Sequence, residues 1–156
     1  MTAPPRTASA PARSEQPVLP PVQQGVEFHA FLDTLGVAVY TTDAEGGITY
    51  FNEAAIALWG RRPELGEQWC GSWRLYWPDG RPMPHDECPM AIALKEDRPI
   101  RGVEAELERP DGTRAVFMAY PTPLHDTSRR LVGAVNVLVD VTERRKAEEA
   151  LRKALG

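Results

Sequence analysis

Residues 131–155 read LVGAVNVLVDVTERRKAEEALRKAL, and the fold turns on this stretch. Leu131–Val139 is β-branched and almost unbroken, the pattern of a strand covered on both faces. Asp140 and Thr142 follow, with side-chain oxygens suited to the exposed backbone N–H groups of a helix start. From Glu143 onward the chain is rich in Ala, Glu, Lys, Arg and Leu, which are strong helix formers. A strand running straight into a surface helix, with no chemistry-bearing cluster, predicts a mechanical coupling that passes on a signal.

On that helix Val141, Ala147, Ala150, Leu151, Ala154 and Leu155 make a narrow apolar stripe at mixed three- and four-residue steps. The stripe suits a dimeric coiled coil. An isolated helix of this length is marginal in water, so it needs its own sheet, a second protomer or a downstream helix. A homodimer through this region is expected. The alternate strand positions Val135, Val137 and Val139 offer an apolar face to such a partner.

The remaining composition narrows the function classes. The 156 residues suit one domain with tails, 42% hydrophobic content supports a core, and 26% charged residues is ordinary. A net charge of −4 argues against a nucleic-acid partner, which needs a clustered positive surface. The basic group Arg144-Arg145-Lys146 is interleaved with Glu143, Glu148 and Glu149 and reads as a solvated helix face. No stretch approaches the roughly 20 apolar residues of a membrane span. Residues 1–24 are rich in Pro, Ala and Ser and lack the apolar core of a secretory signal, so a disordered leader is expected. The two cysteines, Cys70 and Cys88, are too far apart for a short metal motif. With no export signal they are expected to be reduced thiols in a cytoplasmic protein.

Working back from the C-terminus, Arg101–Arg109 alternates sharply, with Val103, Ala105 and Leu107 on one face and three glutamates on the other. It predicts an edge or half-exposed antiparallel strand. Pro110-Asp111-Gly112 turns it into a second strand, Thr113–Tyr120, and a polar connection over Leu124–Arg130 leads to the last one. Upstream, Val26, Phe28, Phe31, Leu32 and Leu35 predict a short amphipathic helix ending at Gly36. Val37–Thr41 and Ile48–Phe51 flank a glycine turn as a hairpin. Asn52 is placed to cap a helix over Glu53–Trp59, and Asp86 to open another with Pro89 in its first turn. Arg61–Pro84 reads as a loop holding Trp69, Trp73 and Trp77. The expected fold is α+β: a five-stranded antiparallel sheet with helices on one face and a C-terminal signalling helix.

The hairpin ending in Ile48-Thr-Tyr-Phe-Asn-Glu-Ala-Ala55, the turn Glu108-Arg-Pro-Asp-Gly-Thr-Arg114 and the junction Gly133-Ala-Val-Asn-Val-Leu-Val-Asp-Val-Thr-Glu143 together resemble the PAS domain, a sensory module common in bacterial signalling proteins. The segment from Trp69 to Met90 is similar to a subgroup found in sensor histidine kinases. After the leader that composition predicts over 1–24, the resemblance implies a sensory domain over 25–142 and a linker or coiled-coil helix over 143–156. It also implies a pocket between sheet and helices, and a terminal helix that pairs in a dimer and controls an effector. The expected signal junction is Asp140 and Thr142, and the expected dimer helix residues are Ala147, Leu151, Ala154 and Leu155.

Candidate pocket residues are Asn136, Leu138, Trp59, Met90 and Leu94. Asn136 shares strand parity with Val132, Ala134 and Leu138, and its amide on an apolar face needs a ligand, a water or a backbone group as partner. The four tryptophans read as core and lid packing rather than an aromatic cage. Cofactor identity is not legible. Haem is disfavoured because His85 stands at a helix entrance, and a covalent flavin because Cys70 lacks the light-sensing signature and Leu138 stands where those relatives carry a Gln. Cys70 and Cys88 are expected to be packed thiols; were the loop to fold back, they could pair, with Cys88 acidified by its helix start. No catalytic constellation or phosphoacceptor region is present, so no enzyme is expected. The sequence reads as an input module of a two-component sensor kinase. The alternative is a stand-alone interaction module for another signalling protein.

Overall fold

In a computed structural model of the chain, residues 30–31, 34 and 36–156 are described. The expected leader and most of the helix over Val26–Leu35 lie outside the described residues. Two stretches pair around a short turn, β1 (Ala38–Asp43) and β2 (Ile48–Phe51). Asp43 holds the turn by accepting from the N–H groups of Glu45 and Gly47.

Asn52 then starts α1 (Glu53–Trp59), its side-chain oxygen accepting from Ala55 N at 3.0 Å. The same oxygen accepts from Val39 N at 3.1 Å, and the amide nitrogen donates to Val37 O at 2.8 Å. One buried side chain therefore caps a helix and anchors the start of β1. Arg109 closes the other end of α1, donating through Nε to Leu58 O at 2.9 Å, where the helix dipole favours a cation.

The stretch read as a loop contains two short strands, β3 (Arg74–Tyr76) and β4 (Pro82–Met83). They are too short for alternation to register in the sequence. A 3-10 turn at His85–Glu87 precedes α2 (Pro89–Glu96). The α-helix thus opens at Pro89, three residues after Asp86, because proline suits a first helical position that needs no N–H donor.

β5 (Val103–Glu108), β6 (Arg114–His125), β7 (Leu131–Asp140) and α3 (Thr142–Leu155) complete the chain. All strands pair antiparallel in one sheet of order β2-β1-β7-β6-β5-β3-β4. The sheet has seven strands where five were expected, and β5 is internal rather than an edge. β6 runs five residues past Tyr120 despite Pro121 and Pro123. Both prolines lie beyond the last pairing with β5, Val103 with Ala119, so no ladder donor is lost on that side.

α1 packs on β1, and α2 on β6 and β7. Between helices and sheet lies a core in which Tyr40, Ile48, Trp59, Met90 and Leu107 are at most 1% exposed. The edge of Trp59 meets the Tyr40 ring, with centroids 5.2 Å apart. Gly133 sits where any Cβ would lie 2.2 Å from Thr42 O, so the β1–β7 pairing needs a glycine there.

A bulge corrects the expected parity of β7. Leu124 pairs with Gly133 and His125 with Leu131, which leaves Val132 as the extra residue. Val132 is 49% exposed, while Ala134, Asn136 and Leu138 face the core. The opposite face is only partly covered: Val135 and Val137 are half-buried and Val139 is exposed.

Candidate functional site: the sealed interior and the strand-to-helix junction

β7 delivers Asn136 and Leu138 to the interior, opposite the α1–β3 loop and α2. Trp59, Met90, Tyr40, Phe117, Cys70 and Cys88 close around them, and the space left is about 10 Å³. That is about what one water needs. Leu94 is buried on α2 but does not border this space. The space is far below the several hundred Å³ typical of small-molecule pockets.

Asn136 is 1% exposed, and its partners are protein groups. Its side-chain oxygen accepts from Tyr120 N at 3.1 Å, and its nitrogen approaches Tyr40 Oη at 3.4 Å. Tyr40 in turn donates to Trp69 O at 2.7 Å. Burial pushes the Tyr40 hydroxyl well above its usual pKa, helped by Cys88 and Cys70 and opposed by the Asn136 bond. Tyr40 is therefore a neutral donor that ties β1, and β7 through Asn136, to the loop before β3. Sequence reading missed Tyr40, because the partner lies 29 residues away on an irregular segment.

That loop is held rigidly. Arg61 makes two bonds to the Glu67 carboxylate and donates to Gly71 O at 2.7 Å. The Arg61 bond holds the Glu67 pKa below its usual value. Trp69 adopts φ 77°, and a Cβ on Gly71 would stand 2.5 Å from the Trp59 ring. The tryptophans form no cage. Trp59 is core, Lys95 lies over Trp69, Arg74 over Trp73 and Arg81 over Trp77. His85 hydrogen-bonds Ser72 O at 2.9 Å, and His125 at the end of β6 pairs with Asp97 at 2.7 Å.

The folded loop brings Cys70 and Cys88 to the border of the same small space, with both buried. Cys70 is acidified to about 7, chiefly by the bond from Cys88, with help from His85 and the Ser72 N–H against the cost of burial. Cys88 moves the other way, raised by its role as donor to Cys70 and by burial, although the N–H groups of Ala91 and Met90 oppose this. The expected acidification of Cys88 is thus reversed. The helix start does favour its thiolate, but two adjacent thiols cannot both ionise in a closed core.

At the end of β7, Asp140 accepts from Thr142 N at 2.9 Å and from the Thr142 hydroxyl at 2.6 Å. Thr142 does not cap the helix. Its Oγ1 accepts from Val116 N at 2.9 Å and so ties the first residue of α3 to the middle of β6. Val141 is buried, and its N–H donates to Val116 O at 2.8 Å. Arg145 adds an ion pair to Glu104 on β5. Beyond this collar no residue of α3 is buried: Leu151 is 61% exposed and Leu155 80%, with Ala147 and Ala154 exposed beside them. Among the described residues, no group of three or more His, Cys, Asp or Glu is placed to hold a metal ion.

The PAS fold family model matches residues 32–146. The chain belongs to that family. Its PAS domain resembles that of the fruit-fly ELK potassium channel, with a TM-score of 0.58 at 15% identity, covering 80% of this chain and 99% of that one. It also resembles a sensory box histidine kinase/response regulator from Burkholderia thailandensis, with a TM-score of 0.57 at 18% identity over 82% and 94% of the two chains. An RNA-binding light-oxygen-voltage receptor matches 99% of this chain but only 41% of its own length, with a TM-score of 0.57 at 20% identity. Comparison with curated proteins finds no match. At these identities the likeness is one of fold. As a PAS domain the chain is a sensory, signal-transducing module, and no helix among its described residues is long and apolar enough to cross a membrane.

Proposed function

We propose that this PAS domain is the input module of a cytoplasmic two-component sensor kinase. It works as a homodimer and relays its state through α3 to an effector. The observation that carries the reading is the collar at Val116. Val141 and Thr142 bond the root of α3 to β6 and Asp140 holds the Thr142 hydroxyl, while the rest of the helix presents Leu151 and Leu155 to solvent. A helix clamped at one end and apolar along an uncovered stripe transmits orientation to whatever it pairs with. The likeness to a histidine kinase supports the effector class. The small interior supports a domain with no resident haem or covalent flavin.

Light scattering at high micromolar concentration tests the dimer: the expected mass is twice the 17.3 kDa chain. Leu151→Lys is expected to return the mass to one chain with the domain still folded. A monomeric mass for the unaltered chain overturns the dimer. In the protein that carries the effector, Thr142→Val is expected to change output, and unaltered output overturns the relay. A second reading, a stand-alone module that binds another regulator, is favoured by the exposed sheet positions Val132, Val139 and Leu124. Those three residues changed to Ser would then abolish partner binding while leaving the domain folded.

A further inference from the structure

We propose that Cys70 and Cys88 form a peroxide-responsive dithiol, closing to an intramolecular disulfide in the wall of the interior. The two cysteines come from different parts of that wall, Cys70 from the loop after Trp69 and Cys88 from the residue before α2, and both border the same space of about 10 Å³. Cys70 is 8% exposed and Cys88 2%, so a small oxidant meets Cys70 first. The groups facing Cys70 sort the two sulfurs into different roles. His85 and the Ser72 N–H favour its thiolate, the Cys88 thiol donates to it, and Tyr40 is neutral in the same wall. Cys70 is then the nucleophile and Cys88 the resolving thiol.

The reaction balances with hydrogen peroxide as the oxidant. The Cys70 thiolate attacks one peroxide oxygen, the O–O bond breaks and hydroxide leaves, giving a sulfenic acid. The Cys88 sulfur then attacks the Cys70 sulfur, the S–O bond breaks, and the departing hydroxide takes the Cys88 proton to leave as water. Two thiols and one peroxide become one disulfide and two waters. Both sulfurs border the same space as Asn136 and Leu138, so the bond would draw α2 and the Trp69 loop together against β7. As an input to the α3 relay this rests on the reading above; the thiol chemistry does not.

The test treats the full chain with hydrogen peroxide at pH 6, 7 and 8, followed by alkylation, intact mass and peptide mapping. The expected product has lost both free thiols and two hydrogens, stays one chain without reductant and is restored by dithiothreitol. Its formation is expected to be about tenfold faster at pH 8 than at pH 6, following a Cys70 thiolate that titrates at about 7. Cys88→Ser is expected to stop at a sulfenic acid on Cys70, captured by dimedone, and Cys70→Ser to leave Cys88 unreacted. Because either core variant can misfold, the unaltered chain decides the matter. Two free thiols persisting in the folded chain, a bond between chains, or overoxidised Cys70 beside a free Cys88 each overturn the dithiol. Hydrogen exchange at Val116 and Thr142 decides the relay separately. A disulfide that leaves both amides unchanged overturns the input role alone.

Discussion

Thr142→Val is the sharpest probe of the junction. Valine keeps the branched shape of threonine but removes the hydroxyl, so its bonds to Val116 and Asp140 disappear. One is the bond from Val116 N at 2.9 Å, which leaves a part-buried backbone donor without its acceptor. That loss costs about 1 kcal/mol in bond and desolvation together. The other is the bond to Asp140 at 2.6 Å, which is exposed and contributes roughly 0.5 kcal/mol. The sum, about 1.5 kcal/mol, corresponds to a melting temperature lower by roughly 5 °C for a domain of this size. Urea denaturation followed by tryptophan fluorescence measures it directly, since Trp59 reports the core. Asp140→Ala completes a double-mutant cycle, in which a non-zero coupling term is expected because the two side chains bond each other. A Thr142→Val stability within 0.3 kcal/mol of the parent, or strict additivity with Asp140→Ala, would refute the clamp.

Three further outcomes follow from the same geometry. Asn52→Ala removes a helix cap, one bond to β1 and one to Val37 just before it, and is expected to cost about 3 kcal/mol in urea denaturation. Gly133→Ala places a methyl group against Thr42 O and is expected to destabilise by at least about 3 kcal/mol, read as lost soluble yield or a lower urea midpoint. The depressed Glu67 pKa means that its pairing stabilises the fold above the usual carboxylate value near 4.5 and that this stability is lost as pH falls through the lower folded value. Glu67→Gln is therefore expected to flatten the acid limb of a stability–pH curve, measured by thermal melts from pH 3 to 7.

The elements legible in the sequence are those whose signal is local. The β7–α3 change of pattern, the Gly46–Gly47 hairpin, the Asn52 cap and the alternation of β5 each sit within a dozen residues and obey one periodicity. β3 and β4 are three and two residues long, so their partners rather than their composition make them strands. The Val132 bulge depends on where β6 ends, and the side-chain pattern of β7 alone does not contain that. The role of Thr142 was misread for a similar reason. Threonine before a helix is a capping signal, but the competing donor, Val116 N on β6, is 26 residues away. In the candidate interior, Asn136, Leu138, Trp59 and Met90 were legible from strand parity and helix periodicity. The Tyr40–Trp69 tie and the placing of Cys70 and Cys88 at one space depend on a loop with no repeating pattern.

The sealed interior sets a threshold on anything that would enter it. A molecule larger than water must wait for, or hold open, a conformation in which Trp59, Met90 and Phe117 have moved apart, and its apparent affinity falls by the fraction of time the domain spends there. If that opening costs about 3 kcal/mol, a ligand of micromolar intrinsic affinity acts at roughly 150-fold higher concentration. Such a domain ignores the dilute background of metabolites around it. It responds either to compounds abundant enough to cross the threshold or to reagents small enough to need no opening.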